Sequence, residues 1–225
     1  MAAPGRDLAH GIQHDVQLPP HQQAKALIDW AIADKDSGGC PRLIEWYTSQ
    51  FAVAKAKGEA FASEARACST CTLLDLVNNF TAMTTATGTS SLMSSWLQKY
   101  GSSPLYLSAI ADSNWDAAMP ALTAANASKS KIHLMGSDGS VSSYQRISAG
   151  NYQGASTFMS ADEQIWTLFD DLNRIFHHQK ATTFNPRLLL VTHDNIKSAL
   201  GPTSAAQYEP ADNFKAHYLK IWGVK

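Results

Sequence analysis

Ser160-Ala-Asp-Glu163 has the spacing of a capping box, in which a hydroxyl and a carboxylate three residues apart satisfy the free N–H groups of a starting helix. Behind it Ile165, Leu168, Phe169, Leu172, Ile175 and Phe176 recur at steps of three and four, forming one apolar stripe. Asp162 and Glu163 in the first turn, with Arg174, His177, His178 and Lys180 at the end, complement the helix dipole. No other segment constrains its own structure as strongly. An amphipathic helix must bury its stripe against another element, so the rest of the chain is read for what it supplies.

The same period recurs upstream. Ala24, Leu27, Ile28, Ala31 and Ile32 share one face, and Leu43, Ile44, Tyr47, Phe51 and Ala54 share another behind Pro41. Thr72-x-x-Asp75 reads as a second capping box for Leu73, Leu76, Val77, Phe80 and Met83. Leu92, Met93, Trp96, Leu97 and Tyr100 follow, and residues 103–113 and 113–128 read as two short helices. Residues 21–127 are thus predicted to be a nearly all-helical block.

Before that block, residues 1–20 mix Gly, Pro, Asp and His without period and read as an extended arm. After it, KIHLM, an Asp138-Gly139 turn and SVSSYQRI read as a β-hairpin near 131–147. Residues 151–158 read as a loop, and 187–193 (RLLLVTH) as strand or helix, which periodicity does not decide. A last helix carries Phe214, Tyr218, Ile221 and Trp222 and stops at Gly223. The expected fold is mainly α: a helical bundle-like single domain with a small hairpin, an N-terminal arm and a C-terminal helix. Its regions are 1–20, 21–127 and 128–225, the last two sharing one core.

Charge narrows the partners. Charged residues are only 16% of the 225, and the net charge is −1, so no global field attracts nucleic acid or an acidic surface. A surface so weakly charged resists self-association poorly. The first twenty residues hold no apolar core of a secretory signal, and no run is long enough for a membrane span. Three cysteines are too few for a secreted disulfide scaffold, which predicts an intracellular protein, within a viral or other assembly.

Chemistry is sparsely signalled. Cys68-Ser-Thr-Cys71 is half of a zinc site without a second pair, and His10 and His14 lie far upstream in the arm. A thioredoxin-like centre needs a preceding strand, whereas helical segments flank this pair. Two small side chains at a helix junction remain as its main reading, so no metal and no cofactor is predicted. Cys68 or Cys71 with His193 and the adjoining Asp194 is the alternative catalytic set, in a small Cys–His enzyme of effector or toxin type. No nucleophile elbow, zincin, P-loop or dinucleotide fingerprint occurs.

Local positive charge is more suggestive. Lys129, Lys131 and Arg146, with Arg174, Lys180 and Arg187, are candidates to line a phosphate-tracking groove for RNA or DNA. Phe214, Tyr218 and Trp222 on the terminal helix are candidates for a subunit contact. Together these predict a non-enzymatic, self-assembling structural subunit, coat-like or nucleoprotein-like, forming homo-oligomers without a membrane. A helical adaptor that binds a protein partner through an exposed aromatic face is a third possibility.

Overall fold

A computed structural model describes residues 16–182, 187–200 and 213–224. Its centre is a six-stranded sheet, which corrects the mainly helical expectation. The strands are β1 (Arg42–Tyr47), β2 (Thr72–Asn78), β3 (Leu105–Ala109), β4 (Ile132–Ser137), β5 (Gln153–Phe158) and β6 (Leu189–Thr192). They lie in the order β2-β1-β3-β4-β5-β6; the first five are parallel and β6 runs antiparallel to β5. The nine α-helices among the described residues are α1 (Pro20–Ala33), α2 (Ala52–Ala67), α3 (Phe80–Thr84), α4 (Ala86–Tyr100) and α5 (Met119–Ala124), then α6 (Val141–Ser148), α7 (Ala161–Phe176), α8 (Ile196–Leu200) and α9 (Phe214–Trp222).

Strands of a parallel sheet are covered on both faces, so they read as unbroken apolar runs rather than alternating ones. That is why RLIEWY and LYLSA pass for helix. Along β1, Leu43 packs with α1 and α2, whereas Ile44 and Trp46 pack with Met93 and Trp96 of α4 on the opposite face. In β3, Leu105 and Leu107 join the α4 side while Tyr106 joins the α1–α2 side. The helical spacing of Leu73, Leu76 and Val77 is coincidental: they lie on β2, and Asn79 caps a new helix by accepting from the Ala82 N–H.

The hairpin near 131–147 is also corrected. Residues 132–137 are a strand, but it is an interior parallel one, paired with β3 and β5. Asp138 and Gly139 both take left-handed backbone angles, φ 79° and 76°, and deliver the chain into α6 instead of a second strand. Ser140 and Ser143 cap that helix reciprocally. Residues 153–158 are strand, not loop, and 189–192 are strand.

Other expectations hold. The helix expected to follow the arm is present and begins one residue early, at Pro20; Ser160 caps α7 by accepting from the Glu163 N–H, and α9 ends at Gly223. The arm's residues 1–15 lie outside the described residues. Yet α7 turns its stripe the other way from expectation. Phe169 is 61% and Phe176 77% exposed, with Ile165, Leu168 and Leu172 also exposed. Asp170 and Asp171 are buried instead: Asp170 accepts from Arg174 and from the Trp222 indole, and Asp171 from the backbone and hydroxyl of Thr182.

Candidate functional site

Connections fix where such a sheet presents a site. From β1 the chain crosses to β2 by α2 on one face, then returns past β1 to β3 by α3 and α4 on the other. Right-handed crossovers in opposite directions put these helices on opposite faces. The loops after β1 and β3 therefore diverge and leave a crevice at the carboxyl ends of the strands, the crest of the sheet.

Beneath the crest the α1–α2 face is polar. Glu45, Ser108, Ser137 and Thr157 are all buried, on β1, β3, β4 and β5, and Gln23 of α1 reaches Thr157 Oγ1 at 3.5 Å. Lys57 of α2 spans this layer, donating to Ile110 O (3.1 Å), Ser137 Oγ (3.3 Å) and Asp138 Oδ1 (2.6 Å). Gln23 Oε1 and Glu45 Oε2 have no protein partner, and both residues line a cavity of about 20 Å³. That is room for about one water. Burial pushes the Glu45 carboxyl up to about 8, despite a hydrogen bond from Ser108 and the nearby Lys57.

The β3–β5 side is braced differently. Asp112, just past β3, accepts from Gln153 Nε2 (2.6 Å), Ser156 Oγ (2.6 Å) and the Gly139 N–H (3.0 Å). Burial lifts its carboxyl to about 7, against the lowering effect of those hydrogen bonds and Arg146. The network ties the β4–α6 loop to the end of β3.

The open surface above β1 and β2 carries hydroxyls, amides and two phenyl rings. Ser49 and Asn78 are joined twice, Asn78 Nδ2 to Ser49 Oγ (2.8 Å) and the Ser49 N–H to Asn78 Oδ1 (2.9 Å). Gln50 is exposed beside them. Phe51, 55% exposed, meets Phe80 edge-on at 5.8 Å. Asn114 Oδ1, in the turn after β3, is buried without a protein partner. The ion pair described at this end, Lys57–Asp138, is internally matched.

A cleft of about 680 Å³ lies at the other end of the sheet, among Trp30, Asp34, His133, Tyr152 and His193. Volume favours that base, whereas topology favours the crest, the position at which open α/β sheets present ligands.

The residues expected from the sequence to bind nucleic acid do not form one groove. Arg146 is buried on α6, bonded to Gln153 Oε1 (2.8 Å), the Asp112 carbonyl (2.9 Å) and Asp116. Lys129 lies over the Tyr152 ring and Lys131 donates to the Ser102 carbonyl, both at the base. Arg174 pairs with Asp170 and Arg187 with Glu163, on the α7 side, and Lys180 follows the end of α7.

Neither is the catalytic set assembled. Cys68, at the end of α2, and Cys71, before β2, are joined in a disulfide, which leaves no thiolate nucleophile there. His193 and Asp194 follow β6, at the opposite edge of the sheet from β2. Five strand spacings put those edges about 24 Å apart. Phe214, Tyr218 and Trp222 serve their own core: all three surround Trp166 of α7, with Trp222 stacked on it at 5.3 Å. Tyr218 also bonds Thr167 Oγ1 at 2.9 Å. This removes the basis of both the expected homo-oligomer contact and the helical adaptor's aromatic face.

No family model matches the chain, and no curated protein matches its sequence. Solved structures share its fold. A solute-binding protein of an ABC transporter from Mycobacterium smegmatis, with bound glycerol, superposes with a TM-score of 0.70 at 16% identity, covering 90% of this chain and 68% of that one. A galactofuranose-binding protein gives 0.68 at 17% identity, covering 83% and 63%. The Caulobacter myo-inositol-binding protein, bound to myo-inositol, gives 0.68 at 15% identity, covering 81% and 61%. The chain thus spans about two thirds of the length of these proteins. Among the described residues no helix is long and apolar enough to cross a membrane. The architecture shared with solute-binding proteins overturns the coat-like or nucleoprotein-like expectation and, with it, RNA or DNA as partner: this is an α/β chain of periplasmic-binding-protein-like fold.

Proposed function

We propose that the crest binds a small, neutral, polyhydroxylated molecule, a sugar or polyol, without transforming it. One observation carries this. Hydroxyl and amide groups at the end of β1 stand beside the exposed Phe51 ring, which meets the half-buried Phe80 edge-on, while the ion pair at that end is closed on itself. Polyols offer hydroxyls that donate and accept, and rings with C–H faces that pack on phenyl groups. A charged ligand would need an uncompensated charge instead.

Glycerol, galactofuranose and myo-inositol, named for the structural neighbours, belong to this chemical class. By the same analogy the chain acts as a solute receptor that hands its ligand to a transport partner. The Cys68–Cys71 disulfide supports an oxidising compartment over the intracellular one expected from the cysteine count.

Isothermal titration of the full chain with glycerol, myo-inositol, galactose and arabinose tests the reading. Saturable binding of at least one is expected, weakened about tenfold, or ~1.4 kcal/mol, by Phe51→Ala or Gln50→Ala. No saturable heat from any of the four overturns it.

A further inference from the structure

At the base of the sheet, where the polyol reading assigns nothing, one imidazole and two carboxylates converge. His133 is the second residue of β4 and is only 7% exposed; Asp34 and Asp36 bracket the turn after α1. One ligating atom from each of the three lies within 4.8 Å of the others. His133 Nε2 stands 3.5 Å from Asp36 Oδ2. Two donors on a tetrahedral ion, each about 2.0–2.1 Å from it, are about 3.3–3.4 Å apart, so this edge needs almost no adjustment.

The donors are also held in place. Tyr106 stacks on the His133 ring at 4.6 Å with planes 10° apart, and Trp30 closes on both rings. Tyr106 O–H donates to Asp34 Oδ1 at 2.7 Å, and the Asp36 N–H donates to the same oxygen at 3.0 Å. Both bonds fix the orientation of the Asp34 carboxylate. Hydrogen bonds of this kind from outside the ligand set orient metal-binding carboxylates.

We propose that Asp34, Asp36 and His133 bind a divalent transition-metal ion of the zinc class. A nitrogen-and-oxygen set without thiolate suits Zn²⁺ or Co²⁺ better than a copper(I) or iron–sulfur centre, and an imidazole argues against Mg²⁺ and Ca²⁺. Three protein donors leave a coordination position for water, as in open zinc sites. Asp34 and His133 line the 680 Å³ cleft, so that position is reached from solvent. The Ser130 carbonyl lies 3.3 Å from His133 Nε2. Ligation through Nε2 requires the neutral tautomer with its proton on Nδ1, which frees the in-plane Nε2 lone pair for the ion.

The experiment uses the full chain, stripped with EDTA, titrated with Zn²⁺ calorimetrically and with Co²⁺ by visible absorption. One equivalent is expected to bind at micromolar or lower concentration, with the intense d–d bands of a low-coordinate cobalt site. Asp36→Asn and His133→Gln should each weaken binding more than about a hundredfold, and Tyr106→Phe by about tenfold. His177→Ala should leave it unchanged. Because Asp36 is partly exposed, Asp36→Asn folds even if the buried His133 does not tolerate change. No bound equivalent overturns the proposal, as does an affinity that survives Asp36→Asn or falls with His177→Ala. Titration with the four polyols is a separate readout, so failure at the crest leaves this result standing.

Discussion

Beneath β4 and β5, Asp112 accepts hydrogen bonds from Gln153, Ser156 and Gly139, whereas beneath β1 and β3 Glu45 is bonded by Ser108 and leaves Oε2 without a protein partner. Both carboxyls are about 1% exposed, and burial is the largest cause lifting each, Asp112 to about 7 and Glu45 to about 8. What separates them is the second requirement of a buried acid, donors for its charged form. Asp112 is a brace whose bonds hold two loops together. Glu45 fronts a cavity under the ligand crevice, with Lys57 stretched across the top of the same layer to the ends of β3 and β4.

The comparison breaks most readily at Asp112. Replacing it with Ala leaves the Gly139 N–H, Ser156 and Gln153 without their acceptor and removes a countercharge from Arg146. Urea denaturation should show a loss of about 3–5 kcal/mol. A loss under about 1 kcal/mol would mean the network braces nothing.

pH dependence comes next. Both folded carboxyls titrate above their ordinary values of 3.8 and 4.5, so the folded state holds more protons than the unfolded state between those values and 7–8. The contribution is fully present below about pH 4 and is lost as pH rises through 7 and 8. From pH 5 to 8 the unfolding free energy measured in urea should fall, by several kcal/mol. Glu45→Gln, which cannot ionise, should remove part of that slope and be the more stable protein at pH 8. A slope unchanged by Glu45→Gln would show that Glu45 is ionised in the folded state.

A smaller effect sharpens the placement of Lys57. Helix α2 crosses β1 closely because Gly58 has no side chain: a Cβ there would run into the Tyr47 ring. Gly58→Ala should therefore cost about 1–2 kcal/mol in thermal or urea unfolding, although Ala is the better helix former. The smallest effect belongs to the exposed stripe of α7. Phe176→Ser should change stability by no more than about 0.5 kcal/mol, since that ring is 77% exposed.

That stripe shows what the sequence could and could not convey. Its period, its cap at Ser160 and its end near Phe176 are local properties, and all are realised. Which way the face points is not local. Asp170 and Asp171 look like a solvated pair until Trp222, Arg174 and Thr182 are brought to them across the fold.

The strands failed for a related reason: in a sheet covered on both faces, the apolar run of LIEW carries no period to read. Two signals are nonetheless present in the sequence. Glu45 interrupts LIEW and His133 interrupts IHLM, each a polar residue inside an apolar segment. A lone polar residue on a buried strand needs a partner or a ligand, and these two mark the two ends of the sheet that carry the proposals. The crest could not be read at all, since Ser49, Asn78 and Phe80 meet only once β1 and β2 are paired.

The most direct test of the crest is a nitrogen–proton NMR titration of the full chain with myo-inositol or galactose. Saturable shifts are expected in residues 48–51, 78–80, 110–114 and 137–139, with the base around His133 undisturbed. Shifts centred on Trp30, His133 and Tyr152, or none at saturating ligand, would contradict it.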